Sequence, residues 1–208
     1  MGIKMAFLRN TSQGNEISEL VSRLAFFAEL REWDNRAHLS RIKAICLLLS
    51  KRMGLSKSEC EVIAIASMLH DVGKINTPIE LLNRVGDYQP NEWKVIEKHT
   101  IDGGQFLSDS HVMEIQTGKV IAESHHERWD GSGYPYHRKG ETIPLPARIC
   151  AVADVFDALT TPRPYKQASH PLDAKRLIEN SSGILFDPVV VSAFVKGFDS
   201  LIKLKQTP

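Results

Sequence analysis

The chain has 208 residues, of which 42% are hydrophobic and 25% charged, and this composition is ordinary for a globular protein. Its formal net charge of +1 gives no general attraction to nucleic acid or to an anionic membrane, so we predict neither as a partner. The longest apolar runs, such as residues 44–49, are too short to cross a bilayer, and the N-terminus lacks the pattern of a secretory signal. We therefore predict a cytoplasmic protein.

Three cysteines, Cys46, Cys60 and Cys150, have no spacing typical of a metal site. Each lies among apolar residues, so we predict that all three are small buried side chains rather than ligands or halves of disulfides. A reducing compartment agrees with this interpretation.

Apolar residues recur at helical spacing along most of the chain. We predict helices over residues 16–32, 36–53, 91–107, 111–126 and 146–160, and two more that begin at Pro171 and Pro188. A further helix begins at the capping box Ser56–Glu59 and runs to His70 and Asp71. Residues 75–90 and 127–145 are predicted loops, because they are rich in glycine and proline. Since no long stretch alternates with period two, the predicted fold is a single all-α helical bundle.

Polar residues fall at inward positions or at helix ends of this predicted bundle. They are Asp34, His38, His70, Asp71, His99, His125, His126 and Asp154. Nitrogen and oxygen donors without a thiolate favour iron or manganese over a structural zinc. Eight ligands are too many for one ion, and two or three ions about 3.5–4 Å apart would clamp a phosphodiester and generate a hydroxide nucleophile.

Each of these residues has a more ordinary interpretation when it is taken alone. A histidine such as His38 or His99 on an apolar stripe is more often a hydrogen-bonded core residue, and a His-Asp step occurs by chance in many chains. Asp157 is interpreted as an acceptor behind a ligand or as an internal helix cap. The other histidines are expected in loops or caps: His111, His137 and His170. The interpretation as a metal site therefore depends on whether these side chains meet at one pocket.

Several runs of this sequence resemble the HD-GYP family, the cyclic di-GMP phosphodiesterases within the HD-domain metallophosphohydrolases. Residues 70–75, HDVGKI, resemble its HD signature, and residues 125–135, HHERWDGSGYP, resemble its GYP signature. Residues 143–149, 151–160 and 163–165 continue the match, which covers about residues 30–195. The resemblance implies an HD-domain-like bundle with a di- or trinuclear metal centre, with iron expected before manganese. It also implies hydrolysis of cyclic di-GMP to linear pGpG, with GMP as the product of a second cut.

The resemblance also implies roles for individual residues. The core metal ligands would be His70, Asp71, His99, His125, His126 and Asp154. His38 and Asp34 match the extra ligands of three-metal members, although the family usually has glutamate where this chain has Asp34. His70, Asp71 and Lys74 would be catalytic, with Lys74 on the scissile phosphate. The other substrate-binding residues would be Arg163, Lys166 and Tyr134.

The sequence leaves two alternatives to this function open. One is a weakly active or inactive module that binds metal or a cyclic dinucleotide and docks a partner. The other is a phosphodiesterase for mixed cyclic GMP-AMP, because no residue identified from the sequence reads the guanine edge. The Gly133-Tyr134-Pro135 loop is the expected contact for a regulatory or diguanylate-cyclase partner, and a homodimer stays open.

We divide the chain into three parts on this basis. Residues 1–30 are an N-terminal extension with a leading helix, residues 31–200 are the HD-GYP catalytic domain, and residues 201–208 are a polar tail.

Overall fold

The computed structural model describes residues 11–30, 35–84, 86–162 and 167–206. The α-helices are α1 (Thr11–Ala28), α2 (Asn35–Arg52), α3 (Lys57–Ala66), α4 (Ile79–Leu82), α5 (Pro90–Glu97), α6 (His99–Phe106), α7 (Met113–Ser124), α8 (Leu145–Thr160), α9 (Pro171–Asn180) and α10 (Pro188–Gln206). Short 3₁₀ turns cover Ser67–Leu69, Val72–Asn76 and Gly140–Thr142. In these ranges, β-type pairing is limited to an isolated bridge between Ser182 and Phe186. The prediction of an all-α bundle is confirmed.

Two clusters of buried apolar side chains hold the helices together. The larger one lies between α2, α8 and α10 and includes Ile45, Phe156 and Phe194. The smaller one joins α1 to the α3–α7 side and includes Val21 and Leu69. Because α2 packs against α3, α8 and α10, it is the central element on which both halves are built.

Local signals in the sequence predicted several details correctly. The Ser56 hydroxyl accepts a hydrogen bond from the Glu59 backbone at 3.3 Å, and the Ser56 backbone donates to the Glu59 carboxylate at 2.9 Å, so the capping box is confirmed. The three cysteines are buried and free, as predicted. Within the ranges given above, each helix is too short or too polar to cross a lipid bilayer.

The predicted helix over residues 91–107 is wrong in one respect, because it is divided into α5 and α6 at Lys98. His99 Nδ1 lies 2.6 Å from the Ile96 carbonyl, and the Thr100 hydroxyl donates to the Glu97 carbonyl at 2.8 Å. These side chains use carbonyls that a continuous helix would engage through its backbone N–H groups. The regular helix is therefore interrupted for one residue beside His99, although Lys98 keeps right-handed helical dihedral angles.

The first helix, predicted over residues 16–32, instead covers Thr11–Ala28. Two further boundaries differ from the prediction. The helix expected to reach His70 ends at Ala66 and continues as the 3₁₀ turn Ser67–Leu69. The loop predicted over residues 75–90 contains the short helix α4. The 3₁₀ turn Val72–Asn76, which lies between these two places, packs against α6.

Replacing Phe194 with alanine tests the larger core. The Phe194 ring is 0% exposed and makes edge-to-face contacts with Phe156 at 5.1 Å and Phe198 at 5.8 Å between ring centroids. We expect the free energy of unfolding, measured by urea denaturation, to fall by about 3–5 kcal/mol. The matched control is Phe106→Ala, because Phe106 is 52% exposed and its loss should change stability by about 0.5 kcal/mol or less. Equal losses in the two variants would contradict this account of the core.

Candidate metal centre

Two groups of imidazole and carboxylate side chains lie side by side in the bundle. The Asp71 group consists of Asp71, His99, His125 and His126, and the Glu29 group consists of Glu29, His38 and His70. In each group the candidate ligand atoms lie within 4.8 Å of one another. The groups are joined through neighbouring residues, because His70 Nε2 lies 3.2 Å from Asp71 Oδ2.

The helices themselves orient three of the imidazole rings. Nδ1 of His70, His99 and His125 lies 3.0, 2.6 and 3.1 Å from a backbone carbonyl three or four residues earlier in the chain. A carbonyl oxygen only accepts hydrogen bonds, so each Nδ1 carries the proton. In the neutral ring, Nε2 then has the lone pair, and it points into the site.

His38 is oriented in the same sense by a residue on a different helix. Its Nδ1 donates to Asp157 Oδ2 at 2.8 Å, and the same buried carboxylate accepts from Arg41 Nε at 2.7 Å. Asp157 therefore has one of the two roles predicted for it, that of an acceptor behind His38. The result is that His38 Nε2 faces His70 Nε2 at 3.4 Å.

The Asp71 group has the features of a cation site. Asp71 Oδ1 lies 3.3 Å from His99 Nε2 and 3.5 Å from His125 Nε2. Within the described part of the chain these three atoms are buried and make no hydrogen bond. Since buried polar atoms are almost always satisfied, a bound cation would supply the partner that all three need.

The Glu29 group fits a cation for a related reason. Two neutral imidazoles that point their Nε2 lone pairs at each other repel, unless a proton or a metal ion lies between them. Nitrogens 3.4 Å apart can both lie about 2.1 Å from one ion. The donors are nitrogen and oxygen, as predicted, so the prediction of a divalent metal centre fits both groups.

The charges of the site hold Asp71, His125 and His126 in the states that bind a metal ion. Burial raises the pKa of Asp71, but the positive charges of Lys74 and His70 outweigh it and hold the pKa well below its usual range. Burial lowers the pKa of His70, yet the Asp71 carboxylate raises it to about 10. Burial is also the main cause that lowers the pKa of His125 and His126, which keeps both imidazoles neutral. Without a metal, the His70 proton therefore balances Asp71.

The structure brings together most of the residues singled out in the sequence. Those that fall into the two groups are His38, His70, Asp71, His99, His125 and His126. Asp154 on α8 is half-buried and belongs to neither group, although its charge helps to raise the pKa of His70, so its role as a ligand stays a prediction. Asp34, Arg163 and Lys166 lie outside the described residues.

Two further predicted site residues lie beside the Asp71 group. Lys74 Nζ lies 2.6 Å from Asp71 Oδ2, and its side chain is 20% exposed. The Tyr134 ring stacks on the His126 ring with 4.8 Å between centroids. Both are therefore placed at the edge of the centre, where a substrate would meet it.

Glu29 is a site residue that the sequence reasoning missed. It lies just after α1 and is 3% exposed. The sequence pattern instead indicated Asp34, one helical turn before His38, as the acidic ligand. A signal was present, because Val21, Ala25 and Glu29 recur at four-residue spacing and all three are buried. A carboxylate that continues an apolar stripe needs a partner in the interior.

Gly73 allows the His70–Lys74 segment to lie directly on α6. A Cβ atom at this position would meet the His99 carbonyl oxygen at 2.0 Å and the Gly103 nitrogen at 2.4 Å. Both neighbours are backbone atoms, so no side-chain rotation relieves the clash. The distance between Asp71 and His99 thus depends on the absence of a side chain at Gly73.

We expect Gly73→Ala to separate the 3₁₀ turn from α6 and to reduce the metal content of the purified protein. Overpacking of this kind costs about 1–3 kcal/mol of stability, or more where the backbone must move. The control is Gly197→Ala on α10, where the nearest atom to an added Cβ is 3.4 Å away. Elemental analysis and thermal unfolding should show a loss only for Gly73→Ala, and normal metal content in that variant would exclude this role for the glycine.

Known proteins are similar to this chain in sequence. A cyclic di-GMP phosphodiesterase response regulator, RpfG, of Xanthomonas campestris is 44% identical over 179 residues, which are 86% of this chain and 47% of the relative. A 3′3′-cGAMP-specific phosphodiesterase 2 of Vibrio cholerae is 38% identical over 201 residues, 97% of this chain and 38% of the relative. The chain thus spans less than half the length of both relatives.

The fold has a counterpart among solved structures. A cyclic GMP-AMP-specific phosphodiesterase of V. cholerae superposes with a TM-score of 0.64 over 92% of this chain and 49% of that one, at 22% identity, a likeness that concerns the fold. The family model described as HD domain matches residues 17–190. That match covers the Glu29 group, the Asp71 group and the helices that carry them. The chain therefore belongs to the HD domain family, and within it to the HD-GYP proteins that its two signature motifs indicated.

Proposed function

We propose that this domain hydrolyses a 3′–5′ phosphodiester bond of a cyclic dinucleotide, with cyclic di-GMP as substrate and linear pGpG as product. GMP would follow from a second cut. The observation that carries the proposal is the buried pair of ligand groups joined at His70 and Asp71, with Lys74 at its edge. The relatives named as cyclic dinucleotide phosphodiesterases support the choice of substrate class.

The residues that would hold the metal ions are the members of the two groups. One ion would lie on the Asp71 group and one on the Glu29 group, and Asp154 is proposed as a further ligand. Iron is the first expectation and manganese the second, because imidazole and carboxylate donors without thiolate suit both. When bound, such a centre polarises the phosphate and supplies hydroxide at neutral pH.

The protein's own side chains would bind and orient the substrate. Lys74 is partly exposed beside Asp71, so its ammonium group can approach the phosphoryl oxygens and offset the negative charge that builds on them. Asp71 and His70 would position the nucleophile, since they are the residues that join the two groups. Arg163 and Lys166 are proposed to hold the phosphates of the dinucleotide, and Tyr134 to line the site.

A second candidate substrate is mixed cyclic GMP-AMP. It is favoured by the V. cholerae relative, whose name gives that specificity and whose match extends over 97% of this chain. Side-by-side rates on the two dinucleotides separate these candidates. A partner contact through the Gly133-Tyr134-Pro135 loop, a homodimer and a cytoplasmic location stay predictions.

The first test is turnover by protein purified anaerobically and loaded with iron or manganese. Cyclic di-GMP should be converted to pGpG, followed by chromatography, and Asp71→Asn should reduce the rate at least about 100-fold, since even partners behind a ligand cost about 10–100-fold. The control is Asp199→Asn, an exposed aspartate on α10. A wild-type protein that binds metal and cleaves neither dinucleotide would favour the inactive binding module instead.

The second test concerns Glu29 as a proposed metal ligand. We expect Glu29→Gln to lower the metal content by about one ion per chain in elemental analysis, because an uncharged amide is a weak ligand for these ions. Glu19→Gln on α1 is the matched control, since the Glu19 side chain is 63% exposed. Asp34→Asn is measured in parallel. If that variant loses the ion and Glu29→Gln keeps it, Asp34 is the ligand.

A further inference from the structure

A cavity of about 350 Å³ lies next to the metal centre and contains none of its ligands. It is formed between the α5–α6 junction and the loop that follows α7. Its lining includes Lys94, Glu97, Lys98, Ile101, Ser132 and Tyr134. The volume falls within the range of small-molecule sites, about 300–1,000 Å³.

Tyr134 connects this cavity to the catalytic region. Its ring lines the cavity and also stacks on His126, a member of the Asp71 group, at a tilt of 26°. A nucleotide with its phosphate at the metal centre would therefore meet an aromatic ring and then the cavity. Aromatic rings of this kind are the usual stacking partners of unpaired bases.

The polar groups of the cavity match a guanine base better than an adenine base. Guanine presents two N–H donors side by side on its Watson–Crick edge, and a carboxylate such as that of Glu97 can accept both. Adenine presents an acceptor nitrogen at the corresponding position, which a carboxylate repels. Lysine ammonium groups are typical donors to guanine O6 and N7, and Lys94 lines the cavity with Lys98, whose Nζ also lies 3.3 Å from Asp102 Oδ1.

The cavity and the metal centre are connected through the junction of α5 and α6. Glu97 is the last residue of α5, and His99 is the first residue of α6. Glu97 lines the cavity, and His99 belongs to the Asp71 group. Residues two apart on a helix point about 200° apart, so one short segment contributes a side chain to each site.

We propose that this cavity binds a guanine base of the substrate and that Glu97 selects guanine over adenine. This inference rests on the proposed function for its substrate class. It assigns a specificity-determining residue to the domain, and it favours cyclic dinucleotides that contain guanine over cyclic di-AMP.

The test compares wild type with Glu97→Gln, an isosteric change at a half-buried side chain. Binding of GMP and of AMP to the manganese-loaded protein is measured by calorimetry, which requires no turnover. The wild type should bind GMP more tightly than AMP by about 5- to 150-fold, the value of one bidentate base contact. Glu97→Gln should bring that ratio close to one, because glutamine offers both a donor and an acceptor to either purine.

The matched control is Glu61→Gln, because Glu61 lies on α3, outside the cavity lining, with a side chain that is 53% exposed. Metal content is measured for each variant, so that a disturbed His99 is recognised. A second arm compares kcat/KM for cyclic di-GMP and cyclic di-AMP, and the same loss of preference is expected there.

The outcomes separate this inference from the proposed function. If Glu97→Gln loses the GMP preference and no cyclic dinucleotide is cleaved, the base site stands and the proposed function fails. If cyclic di-GMP is cleaved and Glu97→Gln keeps the wild-type preference, the base site is overturned. Equal binding of GMP and AMP to the wild type, or an equal loss for both nucleotides in Glu97→Gln, also overturns it.

Discussion

The rest of this structure depends on the contacts of the Asp71 carboxylate. It is buried, and within 3.5 Å of its oxygens lie Lys74 Nζ and the Nε2 atoms of His70, His99 and His125. A buried carboxylate is stable only with compensating charge, and here the charge is supplied by Lys74 and by a protonated His70 or a bound cation. Because Asp71 touches both ligand groups, its position sets the distance between them.

Backbone carbonyl groups orient imidazole rings of the metal centre. In three of the histidines a hydrogen bond from Nδ1 to a nearby carbonyl orients the ring, so the direction of Nε2 follows from where each helix or turn ends. The distances between the Nε2 atoms therefore depend on how closely these helices and turns pack against one another. The close approach of Gly73 and Gly103 keeps these distances short, because any side chain at Gly73 would push α6 away.

The most informative departure from helical regularity is the break at Lys98. Side chains that take over the Ile96 and Glu97 carbonyls interrupt the helix where His99 enters the metal site. The apolar pattern predicts a continuous helix, and these side-chain hydrogen bonds to the backbone override it. Sequences usually break a local rule of this kind at functional positions. Here the same break faces the cavity on one side and the Asp71 group on the other.

The sequence by itself determined the all-α class, the capping box at Ser56, the buried cysteines and most of the candidate ligands. These features are local, since periodicity, caps and short motifs involve residues a few positions apart. Only the tertiary structure decided that Glu29 joins His38 and His70, and that Asp157 orients His38 across 119 residues of sequence. Such contacts depend on how distant helices pack, and periodicity along one helix carries no information about which residue of another helix it will face.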